Sequence, residues 1–315
     1  MRKIIFYILA LITVFSCQEH LSTDLIENQT DTRIISLKLG CMDAGTKSNS
    51  PQIPDVENLI HDVWVIQYSD RGILINQKFY RVGDAGLRSV ELDIEVVAVK
   101  STICVITNLN KINTSTTTFF DIPKLQENLP DNIETYKKNL LDLEYLIKCV
   151  NSNVRVQAIP QFGYWEGDLA SDTASINIVL GRMLSRLNLS IYNVANSDNT
   201  DNANRELTSV TFENAPVKAY YFPQLNSQPL PDDAYCTDSE MLKTTMGLTE
   251  GSNADLYFYW APNFCASSER ALSMTFENAG GEKFFCYITD GPPTDTDRDW
   301  KTYHNCNSSI TVTIE

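Results

Sequence analysis

Short runs of β-branched and aromatic residues, separated by clusters of Asn, Asp, Gly and Pro, recur from Ile34 to Ile314 and leave little room for long helices. Such side chains lose freedom in a helical turn and pack well on a pleated surface, so the pattern selects strands. Ile34–Leu39, with Ser36 and Lys38 interleaved, has the alternation of a half-buried strand. Val63–Tyr68 and Ile73–Phe79 are joined by Ser69-Asp70-Arg71-Gly72, a turn composition that predicts a β-hairpin. Val90–Val99 and Ile103–Thr107 continue the series. Ile176–Leu180, Leu187–Tyr192, Thr208–Phe212, Tyr257–Trp260, Lys283–Thr289 and Ile310–Ile314 follow, a spacing that predicts β-sandwiches. One helix interrupts them. Asp131 and Glu134 form a capping box, and Ile133, Tyr136, Leu140, Leu143 and Ile147 recur at helical spacing, with Cys149 closing the element against a sheet.

The first residues are of another kind. Arg2 and Lys3 precede an apolar run, Ile4–Phe15, that is too short to span a bilayer, and the small Ser16 precedes Cys17. This is the pattern of a secretory signal. The stretch Val14-Phe15-Ser16-Cys17 resembles the lipobox of bacterial lipoproteins, which implies lipidation of the Cys17 thiol and a tethered chain. The alternative is an ordinary signal in which Cys17 has no role. Gln18–Thr32 is polar and acidic, as suits a solvated tether. The loop Asp43–Pro54, rich in Gly, Lys, Ser, Asn and Pro, carries Lys47 in the type of segment that proteases cut. A chain of 315 residues exceeds what one core usually organises, and the Gly- and aromatic-rich stretch Pro160–Asp168 marks a boundary. The expected division is a leader at 1–17, a tether at 18–32, an N-terminal domain at 33–165 and a C-terminal domain at 166–315.

A formal charge of −15 argues against nucleic acid as a partner, since phosphate binding needs a concentrated positive field. Lipidation of Cys17 would leave Cys41, Cys104, Cys149, Cys236, Cys265, Cys286 and Cys306, an odd set whose disulfide pairing the spacing does not define. None of the spacings is CxxC, which speaks against zinc. His20, His61 and His304 lie far apart and outside any catalytic motif, and the sequence has no GxSxG, P-loop or GxGxxG. Asp295-Thr296-Asp297-Arg298-Asp299 opens like a calcium loop but places Trp300 where glycine is needed and Cys306 where glutamate is needed. No enzymatic activity, metal or cofactor is expected. Tyr164-Trp165 and Tyr257–Trp260 are read as core aromatics, with a glycan-binding face as the alternative. Asp172-Thr173-Ala174 resembles a short bacterial O-glycosylation motif.

Several segments, in this order, resemble the fimbrillin-like lipoproteins of Bacteroidales, the pilus subunits typified by the major and minor fimbrial proteins of oral and gut species. They are Val56-Glu57-Asn58-Leu59-Ile60-His61-Asp62-Val63-Trp64-Val65 with the Asp70-Arg71-Gly72 turn, and the stretch from Ile178 to Leu189. Thr211-Phe212-Glu213-Asn214-Ala215-Pro216 and Phe258-Tyr259-Trp260-Ala261-Pro262-Asn263 complete the series.

The resemblance implies a mainly β fold of two transthyretin-like β-sandwich domains, with one or few helices in the N-terminal domain. It also implies export through the periplasm to the outer membrane, acylation (palmitate) at Cys17, and adhesion as part of a fimbrium. Assembly in that family is by donor-strand exchange with other pilin subunits after a trypsin-like protease removes the first strand. Mapped here, the displaced strand is Arg33–Cys41, with Arg33, Ile35, Leu37 and Leu39 as its residues, and the cut falls between Lys47 and Ser48, or alternatively at Arg33. Lysine departs from the arginine the family commonly offers, and an uncut subunit would keep its lipid as an anchor. The donor would be Ser309–Glu315, whose Ile310, Val312 and Ile314 form one apolar face, or else a strand that pairs within its own sheet. The reading from another class is a non-polymerising surface lipoprotein that binds glycan or host protein.

Overall fold

The computed structural model describes residues 31–41, 45–46, 55–109, 120, 122–136, 138–144, 146–147, 159–169, 173–194, 205–222, 228–238, 242–265, 268–288, 302 and 306–314. Strands β1 (Thr32–Cys41), β2 (Gly45–Thr46), β3 (Asp62–Ser69), β4 (Leu74–Arg81), β5 (Ser89–Val97) and β6 (Lys100–Thr107) come first. Helices α1 (Ile122–Glu127) and α2 (Ile133–Tyr136) precede β7 (Leu140–Asp142), β8 (Gln161–Asp168), β9 (Ser175–Arg182) and β10 (Ser185–Asn193). The rest are β11 (Leu207–Glu213), β12 (Lys218–Tyr220), β13 (Lys243–Leu248), β14 (Asn253–Trp260), β15 (Ser273–Asn278), β16 (Lys283–Tyr287) and β17 (Cys306–Ile314). The fold is therefore mainly β, as expected. None of the described helices is long and apolar enough to cross a membrane.

The β3–β4 hairpin shows how local chemistry sets the first sandwich. Gly72 sits at φ +74°, donates its N–H to the Ser69 carbonyl at 2.9 Å, and leaves no room for a Cβ, which would lie 2.6 Å from Ile133 Cγ2. Seven strands then run in the order β4-β3-β6-β8-β9-β1-β5. β8 and β9 pair at Gln161–Arg182 and Phe162–Gly181, and there the sheet turns a corner into a four-stranded and a three-stranded leaf. Between the leaves lie Val63, Val65, Ile103 and Val105 from one side and Ile35, Leu37, Leu39, Val90, Ile94, Ile176, Ile178 and Leu180 from the other. On the opposite face of β3 and β6, Trp64, Ile66, Tyr68, Cys104 and Ile106 enter a second core shared with α2 and the later strands. β3 is thus buried on both faces, which is why it reads as a continuous apolar run.

The second sandwich pairs the sheets β14-β10-β17-β2 and β13-β11-β15-β16. Leu187, Leu189 and Ile191 of β10 face Val210 and Phe212 of β11 and Met274 and Phe276 of β15 in the same core. The Phe212 and Phe258 rings meet across it, with centroids 4.1 Å apart.

Several expectations are corrected. The helix predicted over Ile133–Ile147 stops at Tyr136, because Leu140–Asp142 pairs antiparallel with Lys218–Tyr220 and that ladder overrides the helical spacing. Its cap is Asn132, whose Oδ1 accepts the Glu134 N–H at 2.8 Å, and not Asp131. Leu143 and Ile147 are buried nonetheless, the chain is helical again at Glu144, Leu146 and Ile147, where the Ile147 N–H donates to the Leu143 carbonyl at 2.8 Å, and Cys149 lies outside the described residues. The stretch read as a boundary is strand β8, so the division expected at 165/166 falls inside a strand whose partners β6 and β9 both belong to the seven-stranded sheet. We propose the division instead at Met183-Leu184, between β9 and β10.

Candidate functional site

Three inward-facing residues define the site. Ile35, Leu37 and Leu39 of β1 are each at most 2 % exposed, while Ile34 is 73 % exposed and Lys38 faces outward. β1 is an interior strand. It runs antiparallel to β5, in a register from Thr32–Val97 to Gly40–Ser89, and parallel to β9 from Ser36–Ser175 to Cys41–Leu180. On the outer face Ser36 Oγ donates to Glu91 Oε1 at 2.6 Å and Lys38 lies 3.6 Å from the same oxygen. The serine hydrogen bond, then the lysine charge, hold the Glu91 carboxyl below its usual range.

The ends of β1 differ. At its start Arg33 pairs with Val96 in the ladder, and its Nη2 donates to the Thr173 carbonyl at 2.9 Å. At its finish the Cys41 thiol lies 2.8 Å from the Asn58 carbonyl and 3.0 Å from Gln161 Oε1, and burial pushes its pKa up to about 11. Cys41, Cys236 and Cys286 carry free thiols. Cys17, Lys47 and Ser48 lie outside the described residues.

β17 is placed differently. It runs parallel to β10, with Ile310 opposite Leu189, Val312 opposite Ile191 and Ile314 opposite Asn193. Its other side meets β2 at Cys306–Gly45 and Asn307–Thr46, the two rungs of the ladder on that side among the described residues. Ile310, Val312 and Ile314 pack against the core but remain half-buried, while Ser309, Thr311 and Thr313 are exposed.

Sequence reasoning missed a buried charge cluster where the two sandwiches meet. Glu57, which precedes β3, accepts hydrogen bonds from Arg182 Nη1 at 2.9 Å and Arg186 Nη1 at 2.8 Å, and the Tyr259 hydroxyl donates to the same carboxylate. The three charged side chains are at most 3 % exposed. Burial lowers the Arg182 pKa against the opposing pull of Glu57, and burial raises that of Tyr259. Arg186 also stacks over the Tyr257 ring at 5.7 Å. Glu57, the two arginines and Tyr259 lie on three separate segments quoted above for their resemblance. Charges set inside apolar runs were the available signal.

Of the aromatics read as core, Phe258, Tyr259 and Trp260 are buried, whereas Tyr257 is 51 % exposed and Tyr164 is also exposed. Among the described residues no three His, Cys, Asp or Glu side chains gather to hold a metal ion.

The overall fold has solved counterparts. The tip fimbrial protein Mfa3 of Porphyromonas gingivalis superposes with a TM-score of 0.55 at 11 % identity, over 89 % of this chain and 94 % of that one. A candidate cell adhesion protein of Parabacteroides distasonis superposes with a TM-score of 0.60 at 15 % identity, over 89 % and 88 %. One of Bacteroides eggerthii gives 0.55 at 12 % identity, over 91 % and 88 %. The chain therefore has the fimbrillin-like fold. No protein-family model and no curated protein matches the sequence.

Proposed function

We propose that the chain is a structural, non-enzymatic subunit of a cell-surface fimbrium, exported through the periplasm as a lipoprotein acylated at Cys17 and polymerised by donor-strand exchange. One observation carries the reading: an interior N-terminal strand and a half-uncovered C-terminal strand present the same apolar face. Ile35, Leu37 and Leu39 fill the first sandwich at two-residue spacing, and Ile310, Val312 and Ile314 repeat that spacing. Removal of β1 leaves a cleft lined by the edges of β5 and β9, and the β17 strand of another subunit supplies backbone hydrogen bonds and three side chains to it. A trypsin-like protease makes the cut after Lys47. Arg33 is a poorer site, because its backbone is paired with Val96 and its side chain is bound to Thr173. Cut subunits are then held to one another, whereas uncut ones are held to outer-membrane lipid through Cys17. The fold neighbours described as fimbrial and adhesion proteins support an adhesive role at the outer surface.

The second reading, a non-polymerising lipoprotein that binds glycan, has its support in Tyr257 and Tyr192, exposed on the outer face of β14 and β10 beside the Ser190–Asp255 hydrogen bond. Limited trypsin digestion separates the two. A pilus subunit forms a ladder of heat-resistant oligomers after the cut, and deletion of Ser309–Glu315 abolishes it. Monomer after digestion of the full chain refutes polymerisation and favours the binder. The N-terminus of protein recovered from the cell surface reports the processing: Ser48 indicates a cut subunit, and lipidated Cys17 an anchor or a solitary lipoprotein.

A further inference from the structure

The segment Thr32–Thr46 touches both sandwiches. β1 lies inside the first, between β5 and β9, while β2, four residues after the end of β1, adds to the second against the root of β17. On that side β2 is the partner that the described residues offer β17, at Cys306 and Asn307. At the root of β17 Asn307 is therefore paired on both sides, with Arg186 of β10 and with Thr46 of β2, while Cys306 before it pairs with Gly45 and Ser308 after it with Leu187. A strand with ladders on both sides peels far more slowly than an edge strand, because both sets of backbone groups must be broken before either is repaired.

We infer that Thr32–Thr46 is a two-point clamp: one cut between Thr46 and β3 opens the acceptor cleft in the first sandwich and, at the same moment, frees the donor strand in the second. This rests on the donor-strand reading above and adds to it a control on the donor. An uncut subunit is blocked as an acceptor because β1 fills the cleft. It is also slowed as a donor because β2 caps the root of β17. A subunit still carrying its leading segment thus receives no strand and gives one only slowly, as an anchor at the end of a polymer would, and the partner it is held back from is a second copy of itself. The geometry makes the two events inseparable, because β1 and β2 belong to one short stretch of chain that leaves together.

The test separates donor from acceptor. The acceptor is trypsin-cut chain carrying Val312→Asp, which cannot donate. The labelled donors are uncut chain, cut chain, and uncut chain carrying Gly45→Pro and Thr46→Pro. The prolines remove both backbone N–H groups of β2 and leave β1 in place. Heat-resistant dimers are counted over time, and amide exchange across 306–314 is followed in each donor. The clamp predicts that uncut chain donates slower than cut chain by on the order of tenfold or more, the cost of first breaking a short ladder. It predicts that the proline variant donates at nearly the cut rate, with raised exchange at the root of β17 and an unchanged thermal melt of the first sandwich. Uncut wild-type chain donating as fast as cut chain overturns the clamp and leaves strand exchange standing. A proline variant with raised exchange but the slow uncut rate also overturns it. Cut donor failing with cut acceptor overturns strand exchange itself.

Discussion

Leu37→Ala tests the central strand in a way that separates the uncut subunit from the polymer. Leu37 is fully buried midway along β1, opposite Leu92 of β5 and Ile176 of β9, in the core between the two leaves. Truncating a buried leucine to alanine costs the transfer free energy of the lost atoms plus the cavity, about 3–5 kcal/mol where neighbours cannot close in. Both flanking strands are held by ladders, so collapse is restricted and the upper half of that range applies. In urea, with a slope of about 2 kcal/mol per molar, the first-sandwich transition of the uncut chain falls by roughly 2–2.5 M. The same substitution leaves the cut, polymerised protein unchanged in heat resistance, because β1 is no longer in it. A shift below about 0.5 M refutes the packing argument. Equal weakening of the polymer refutes the departure of β1, whatever the size of the first effect.

Four further outcomes are expected. Cys41, with its pKa pushed up to about 11 by burial, has about one hundredth of the thiolate at pH 8 that a thiol of ordinary pKa near 9 would have. Alkylation is therefore slowed by at least that factor in the uncut chain and accelerates when β1 is displaced, as mass spectrometry of the Cys41 peptide shows. Because the folded pKa is raised, the stability it contributes is complete below about pH 9 and is lost as pH rises towards 11, so β1 is released more readily in alkali than at neutral pH. Glu57→Gln leaves Arg182 and Arg186 buried without a countercharge and destabilises the chain by about 3–5 kcal/mol in denaturant unfolding, whereas loss of an exposed, solvent-screened pair such as Lys38–Glu91 changes it far less. Gly72→Ala, at a positive φ and with its new Cβ driven onto Ile133, lowers the melting temperature, and Gly251→Ala, with open space at its Cβ, does so less.

What the sequence discloses follows the range of the interaction. The β3–β4 hairpin, the alternation of β1 and the apolar face of β17 are local and were legible from turn residues and period-two spacing. β8 was not, because its glycines and aromatics imitate a loop. Its Gly163 is small for a tertiary reason: a Cβ there would sit 2.5 Å from Ile178 Cγ2 in β9. Leu140 and Leu143 keep helical spacing, so the sequence of β7 reads as helix, and only the distant Lys218–Tyr220 strand decides otherwise. The two residues of β2 carry no pattern at all. The Glu57 cluster joins positions more than a hundred residues apart, so its charges were visible and their meeting was not. Nor does period-two spacing say whether β1 and β17 lie parallel or antiparallel to their neighbours. β1 has one parallel partner, β9, and β17 is parallel to both of its partners, β10 and β2, brought alongside by long connections.

The direction of exchange follows from the number of neighbours each strand position offers. In its own subunit β17 has a full ladder to β10 and a two-residue contact with β2, and its apolar face stays half-buried. The position of β1 offers a long ladder on each side, and its occupants Ile35, Leu37 and Leu39 are at most 2 % exposed. Emptying that position uncovers apolar surface worth roughly 1.5–3 kcal/mol for each of the three side chains, so on the order of 5–9 kcal/mol awaits an occupant of the right spacing. A β17 strand that moves there exchanges one ladder for two and half burial for full burial. The cost falls on β10, which loses a neighbour but keeps β14 along its length. Hydrogen bonds alone would not fix the direction, since each is worth little net of water. The apolar face does, and it makes Val312→Asp decisive: the charge is tolerated on a half-uncovered strand and forbidden in the cleft, so the variant stays folded and fails to join a chain. If it polymerises like the wild type, the last strand is not the donor.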